Sequence, residues 1–147
     1  MKKLIITILI SLSVGSGFAF FIYKNIQDEV EVVMKEENIV YFFQVGVFKD
    51  EMNALNYMQN YNSSIIIKDE EYFRVIIGIA VSKEAVDKLK SYFDELNINY
   101  YLKKESIDNQ DLTDKIKEYE VALLKAQKNT YNKINQDMLK AYEKNSK

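Results

Sequence analysis

The sequence predicts an α+β fold built on a four-stranded antiparallel sheet, and three observations carry that prediction. First, Gly46 and Gly78 close two similar runs 32 residues apart, Phe43-Gln44-Val45-Gly46 and Val75-Ile76-Ile77-Gly78. Second, each run is rich in β-branched or aromatic residues and is followed by a polar turn, Lys49-Asp50 or Ser82-Lys83, that opens a segment of helical periodicity. Third, two further short strand-like runs complete the order β-α-β-β-α-β, in which short connections and right-handed crossovers set both helices on one face of the sheet. That arrangement is ferredoxin-like.

Taken in order, Val40–Phe48 reads as a buried strand because it is dominated by aromatic and β-branched residues. Asp50–Tyr61 follows with Met52, Leu55, Met58 and Tyr57 or Tyr61 at helical spacing. Ser64–Lys68 reads as a second strand, Asp69-Glu70-Glu71 as a charged turn and Tyr72–Ala80 as a third strand. Ser82 suits the N-cap of a helix running through Leu96, with Ala85, Val86, Leu89, Phe93 and Leu96 on one stripe. Asn97 suits the helix exit, and Ile98–Lys103 supplies the last strand.

Outside this unit, Leu4–Tyr23 is an uncharged run of 20 residues behind Lys2 and Lys3, long enough to cross a hydrocarbon layer of about 30 Å. The positive-inside rule places the N-terminus in the cytoplasm and everything after Lys24 outside, so the expected location is the cytoplasmic membrane, crossed once. Gly17-Phe18-Ala19 would serve as a signal-peptide cleavage site. The apolar run continues past it to Tyr23 and favours an uncleaved signal anchor. The expected organisation is therefore an anchor over residues 1–24, an acidic juxtamembrane linker over 25–39, the folded unit over 40–104 and a tail over 105–147. In the tail, Asp111–Lys144 has helical periodicity through Leu112, Ile116, Tyr119, Leu123, Ala126, Ile134, Met138 and Ala141 or Tyr142. As one helix it would reach roughly 50 Å. Ala126 and Asn129-Thr130-Tyr131-Asn132 weaken a coiled-coil seam. Packing back on the domain, self-association and a solvated tail all remain open, as does a tail that covers the open sheet face and competes with a ligand.

Composition excludes several functions. With no His and no Cys, the chain lacks the commonest general base, the commonest transition-metal ligand and any thiolate nucleophile. No catalytic residue, metal or cofactor is expected. The acidic clusters Asp28-Glu29 and Asp69-Glu70-Glu71 fall in polar linkers and turns, without an apolar pocket to raise a carboxyl pKa. A net charge of −2 gives no basic footprint for nucleic acid.

Helices on one face leave the other open, and strand parity says what lies there. On the third strand Phe73, Val75, Ile77 and Ile79 form the apolar set, which sends Tyr72, Arg74, Ile76 and Gly78 outward. On the first strand Phe43 and Val45 point inward, which turns Phe42 and Gln44 out; on the fourth, Tyr101 is the outward candidate, with Tyr100 or Leu102 as alternatives. Arg74 is the one arginine beside 19 lysines, and its planar donor fork cannot be imitated by lysine. An aromatic platform with amide and guanidinium donors suits a carbohydrate, whose rings present apolar C–H faces and whose substituents hydrogen-bond. The bland alternative pairs Arg74 with Glu70 or Glu71 at the surface, leaves Gln44 bonding neighbouring backbone, and makes Tyr72 and Tyr101 ordinary cross-strand packing.

These residues resemble the SPOR (sporulation-related repeat) domain family, which binds bacterial peptidoglycan. Gln44-Val45-Gly46-Val47-Phe48 resembles its Gln-x-Gly-x-Phe signature, and Tyr72-Phe73-Arg74-Val75-Ile76-Ile77-Gly78 its aromatic-x-Arg-Val-x-x-Gly signature. The likeness covers about residues 40–104. It implies a module that recognises glycan strands stripped of their stem peptides through the helix-free face, with Gln44, Tyr72 and Arg74 as contacts and Phe42, Val47 and Tyr101 around them. Val47 stands where the family often has a smaller or polar residue, and Gly78-Ile79-Ala80 where it often has a Gly-Pro-Phe-like sequence; both departures bear on affinity rather than fold. The implied protein is an anchored, non-catalytic peptidoglycan binder of cell division, envelope remodelling or sporulation. The alternative is an adaptor that binds an envelope protein, or itself, through the folded module and Asp111–Lys144 without binding glycan.

Overall fold

The computed structural model describes residues 38–145, so the expected anchor Leu4–Tyr23 and almost all of the linker lie outside the described residues. Among the described residues no helix is long and apolar enough to cross a membrane. The chain runs β1 (Ile39–Phe48), α1 (Glu51–Met58), β2 (Ile65–Asp69), β3 (Tyr72–Ala80), α2 (Lys83–Glu95), β4 (Tyr101–Ser106), α3 (Gln110–Lys125), a single 3₁₀ turn (Lys128–Thr130) and α4 (Tyr131–Asn145). All strand pairs are antiparallel, in the order β2-β3-β1-β4. The two central strands are the two most apolar runs, as burial on both faces requires.

Local signals set the helix boundaries. Asp50 caps α1 by accepting from the Asn53 N–H at 2.9 Å, and Ser82 caps α2 by accepting from the Ala85 N–H at 3.3 Å. Asn97, at φ 54°, closes α2 in the left-handed conformation that asparagine tolerates. The Ile98 N–H then reaches the Phe93 carbonyl at 3.0 Å. That exit uses up Ile98–Tyr100, where the sequence predicted strand, and β4 starts three residues later. Tyr100 instead packs on Phe43 and Phe93, with ring centroids 5.0 and 6.0 Å away, and donates to Asp94 at 3.1 Å.

Two irregularities in the β1–β3 ladder decide which way its side chains face. The register skips Ile77 on β3 and Val45 on β1, so each strand carries one extra residue immediately before its glycine. Strict alternation therefore fails at both places. Ile79, expected with Phe73, Val75 and Ile77 toward α2, pairs with Phe42 and lies on the opposite face, whereas Gly78, expected outward, pairs with Phe43 and faces α2. A Cβ on Gly78 would stand 2.9 Å from Phe93 Cε2, and one on Gly46 would stand 3.2 Å from Tyr57 Cε1. Both glycines thus admit close approach of a helix-side aromatic ring. The skipped residue also leaves a backbone group to satisfy: the Ile77 carbonyl accepts from Asn135 Nδ2 of α4 at 2.7 Å.

The second face of the sheet is not wholly open. Val40, Phe42, Ile76 and Ile79 on that face are covered by Leu112 and Ile116 of α3 and Met138, Leu139 and Tyr142 of α4. Phe42 meets Tyr142 edge-on at 5.2 Å. The opposite face carries the second core cluster, built on Phe43, Ile77, Leu89 and Phe93 and extended by Leu123. The tail is thus a helical hairpin rather than one long helix, broken where Ala126 adopts ψ 157°. Magnitudes explain the break. Four strands span only about 14 Å between outer axes, so a straight helix of roughly 50 Å laid across them would carry more than half of its apolar stripe past the sheet. Each large side chain brought into the core contributes about 1.5–3 kcal/mol. The few helical hydrogen bonds lost at the break are worth about 1 kcal/mol each.

A buried carboxylate fastens the hairpin. Glu120 of α3, 2% exposed, accepts from the Val81 N–H and from the Ser82 N–H at 3.1 Å, at the amino end of α2. Those N–H groups have no helical partner of their own, and the positive end of α2 favours a negative group there. Glu120→Ala is expected to lower unfolding free energy by about 1–3 kcal/mol, the cost of leaving such groups unpaired. Glu143→Ala, on the exposed side of α4, should stay within about 0.5 kcal/mol. Urea titration of both variants measures the difference; equal values would remove Glu120 from this role.

Candidate functional site

The part of the second face that the hairpin leaves uncovered is a shallow groove of about 260 Å³ lined by Gln44, Val47, Tyr72, Arg74, Tyr101 and Lys103. Three strands build it. On β1, Gln44 continues the alternation of Val40 and Phe42, and the extra residue at Val45 turns Val47 outward to pair with Arg74. On β3, Tyr72 and Arg74 are spaced by two residues and so share the face. On β4, Tyr101 lies opposite Gln44 and Lys103 opposite Phe42. Tyr101 is 65% exposed, Val47 46% and Tyr72 39%, so aromatic and apolar surface borders a polar floor.

Five of the six residues expected at the site therefore meet in one groove. Phe42 is the correction: it points to this face but is 1% exposed beneath Tyr142. Lys103 was missed, although its alternation with Tyr101 made it legible. The alternatives for the fourth strand are also resolved, since Tyr100 and Leu102 pack toward the α2 side.

Electrostatically the groove is a four-charge cluster. The Arg74 guanidinium pairs with Asp69 on β2 through one nitrogen and donates to Glu105 Oε1 on β4 at 3.0 Å through the other. Lys103 pairs with Glu105 and lies 3.8 Å from Asp69. The bland alternative of a surface ion pair for Arg74 thus holds in kind, with Asp69 and Glu105 in place of Glu70 or Glu71. With β1 between β3 and β4, the long Arg74 side chain bridges from β2 to β4 across the central strand. Glu105 stands at the boundary with the covered half: burial first, then the Glu105 charge, push the Tyr142 phenol pKa upward. Among the described residues no group of His, Cys, Asp and Glu could hold a metal ion.

Comparisons with known proteins add a limited likeness. No protein-family model and no curated protein matches the chain. Among solved structures, the chain is similar to a peptidoglycan-binding domain, that of the B. subtilis cell wall lytic enzyme CwlC. The solution structure of that domain matches at 26% identity over 46% of this chain and 91% of that chain, with a TM-score of 0.39. So low a TM-score lends no weight to a functional assignment, which rests on the groove.

Because both Arg74 pairs are partly exposed, with side-chain exposures of 19% for Arg74, 39% for Asp69 and 34% for Glu105, they contribute little to stability. Arg74→Ala is expected to change unfolding free energy by less than about 1 kcal/mol and to leave the circular dichroism spectrum unaltered. A loss of several kcal/mol in denaturant titration would instead make Arg74 a structural tie between β2 and β4.

Proposed function

We propose that this protein is a non-catalytic peptidoglycan-binding module of the SPOR type. In this reading Leu4–Tyr23 anchors it in the cytoplasmic membrane with the folded unit outside, and it acts in cell division, envelope remodelling or sporulation. The observation that carries the reading is the convergence of Gln44, Val47, Tyr72, Arg74 and Tyr101 on one shallow groove. Tyr72 and Tyr101 offer faces for sugar rings, and Gln44 and Arg74 offer donors for ring substituents. An open groove of this size engages a short stretch of strand, so useful attachment comes from many weak contacts along a polymer held near the anchor. The ligand is glycan stripped of stem peptides.

A second reading, an adaptor for an envelope protein, draws on the outward apolar residues of the hairpin, Val121 at 52% and Leu124 at 40% exposure. The two readings separate by experiment. Since the contacts group Glu37–Lys147 as one compact unit, a fragment spanning those residues should sediment with purified peptidoglycan. It should do so more fully after an amidase removes stem peptides, and Arg74→Ala should weaken the association. A folded fragment that stays in the supernatant contradicts the glycan reading, and in-cell crosslinks to protein that survive wall digestion favour the adaptor.

A further inference from the structure

We infer that Asp69 and Glu105 are resident competitors for the groove's two cations, and that the group able to displace them is a free carboxylate on the ligand. The inference rests on the glycan reading and adds what the groove selects. Arg74 and Lys103 are the groove's two cationic side chains among the described residues, and Asp69 and Glu105 engage both. The four charges sum to zero, so the cluster itself presents no net charge to an approaching anion. The acids lie outermost: their side chains are 39% and 34% exposed, against 19% for Arg74 and 27% for Lys103. They can therefore swing into water while the cations stay in the groove floor.

What replaces them is set by bond strength. Against a fixed cation, a carboxylate adds the Coulomb attraction of opposite charges, which a neutral acceptor lacks. A sugar hydroxyl or acetamido oxygen cannot trade evenly with a carboxylate already held by a guanidinium. A ligand carboxylate can, because it restores the same charge-assisted pair and accepts both prongs of the Arg74 fork. Neutral sugar is left with Tyr72, Tyr101 and Gln44. Stripped glycan has the needed group: hydrolysis of the amide that joins a stem peptide to its lactyl side chain leaves a carboxylate on the sugar, where the intact strand has an uncharged amide. Glu105 and Asp69 thereby favour strands whose sugar carries that free carboxylate within reach of Arg74.

The test uses the full chain in detergent micelles and two probes, amidase-treated glycan strands and the same strands with their carboxylates converted to methylamides. Glu105→Gln should tighten binding to the free-acid strands by about two- to fivefold, the equivalent of one exposed ion pair, and leave binding to the methylamide strands unchanged. Arg74→Lys should weaken binding to the free-acid strands alone. If Glu105→Gln disturbs the circular dichroism spectrum, Asp69→Asn carries the same expectation. Equal binding of both probes by the unmodified protein, or a Glu105→Gln effect that is the same for both or in the weakening direction, overturns the inference and leaves glycan binding standing. Failure of every form of the protein to bind either probe overturns the glycan reading itself.

Discussion

Val40, Phe42, Ile76 and Ile79 put a strip of large apolar side chains on the sheet face opposite α1 and α2, and much of the structure follows from the need to keep that strip out of water. A βαββαβ unit with helices on one side cannot cover it. The chain after β4 does so, with α3 and α4 folded into a hairpin whose apolar residues meet the strip. Glu120 at the start of α2 and Asn135 on the Ile77 carbonyl fix the hairpin with polar contacts that apolar packing alone would not orient. The tail is accordingly part of the hydrophobic core.

Covering one half of the face defines the other. The groove begins where the hairpin ends, with Tyr142 over Phe42 on one side and Gln44 on the other. The extra residues at Val45 and Ile77 complete the partition. They bring Val47 into the groove and Ile79 under the hairpin, while the glycines that follow them let Tyr57 and Phe93 approach the sheet on the far side. A single frame thus serves a helix-covered face, a hairpin-covered half-face and an uncovered half-face.

Much of this was legible in the sequence where signals are local. The cap at Ser82, the exit at Asn97 and the strand Tyr72–Ala80 depend on residues a few positions apart, and they fall as expected. Parity correctly turned Gln44, Tyr72, Arg74 and Tyr101 to one face. It failed for Ile79 and Gly78 because alternation counts residues and cannot register a skipped pairing. The partners of Arg74 were missed because Glu105 lies beyond the expected end of the last strand, and its reach to Arg74 depends on the order β2-β3-β1-β4. Glu120 looked like any other acid on an amphipathic helix; its role exists only once α3 lies beside the start of α2. Phe42, expected at the open site, is buried for the same reason, since cover by a segment about a hundred residues away leaves no local trace.

Hydrogen exchange under native conditions tests the central claim, that the hairpin and sheet form one cooperative unit. If they do, the amides of Ile116 and Glu120 in α3 and of Met138 in α4 open only with those of Phe42 in β1 and Ile76 in β3. Their opening free energies then equal the global value and fall together as denaturant is added. A hairpin whose amides exchange through an opening several kcal/mol cheaper than that of β1, while the sheet stays protected, would show a detachable appendage and contradict the account.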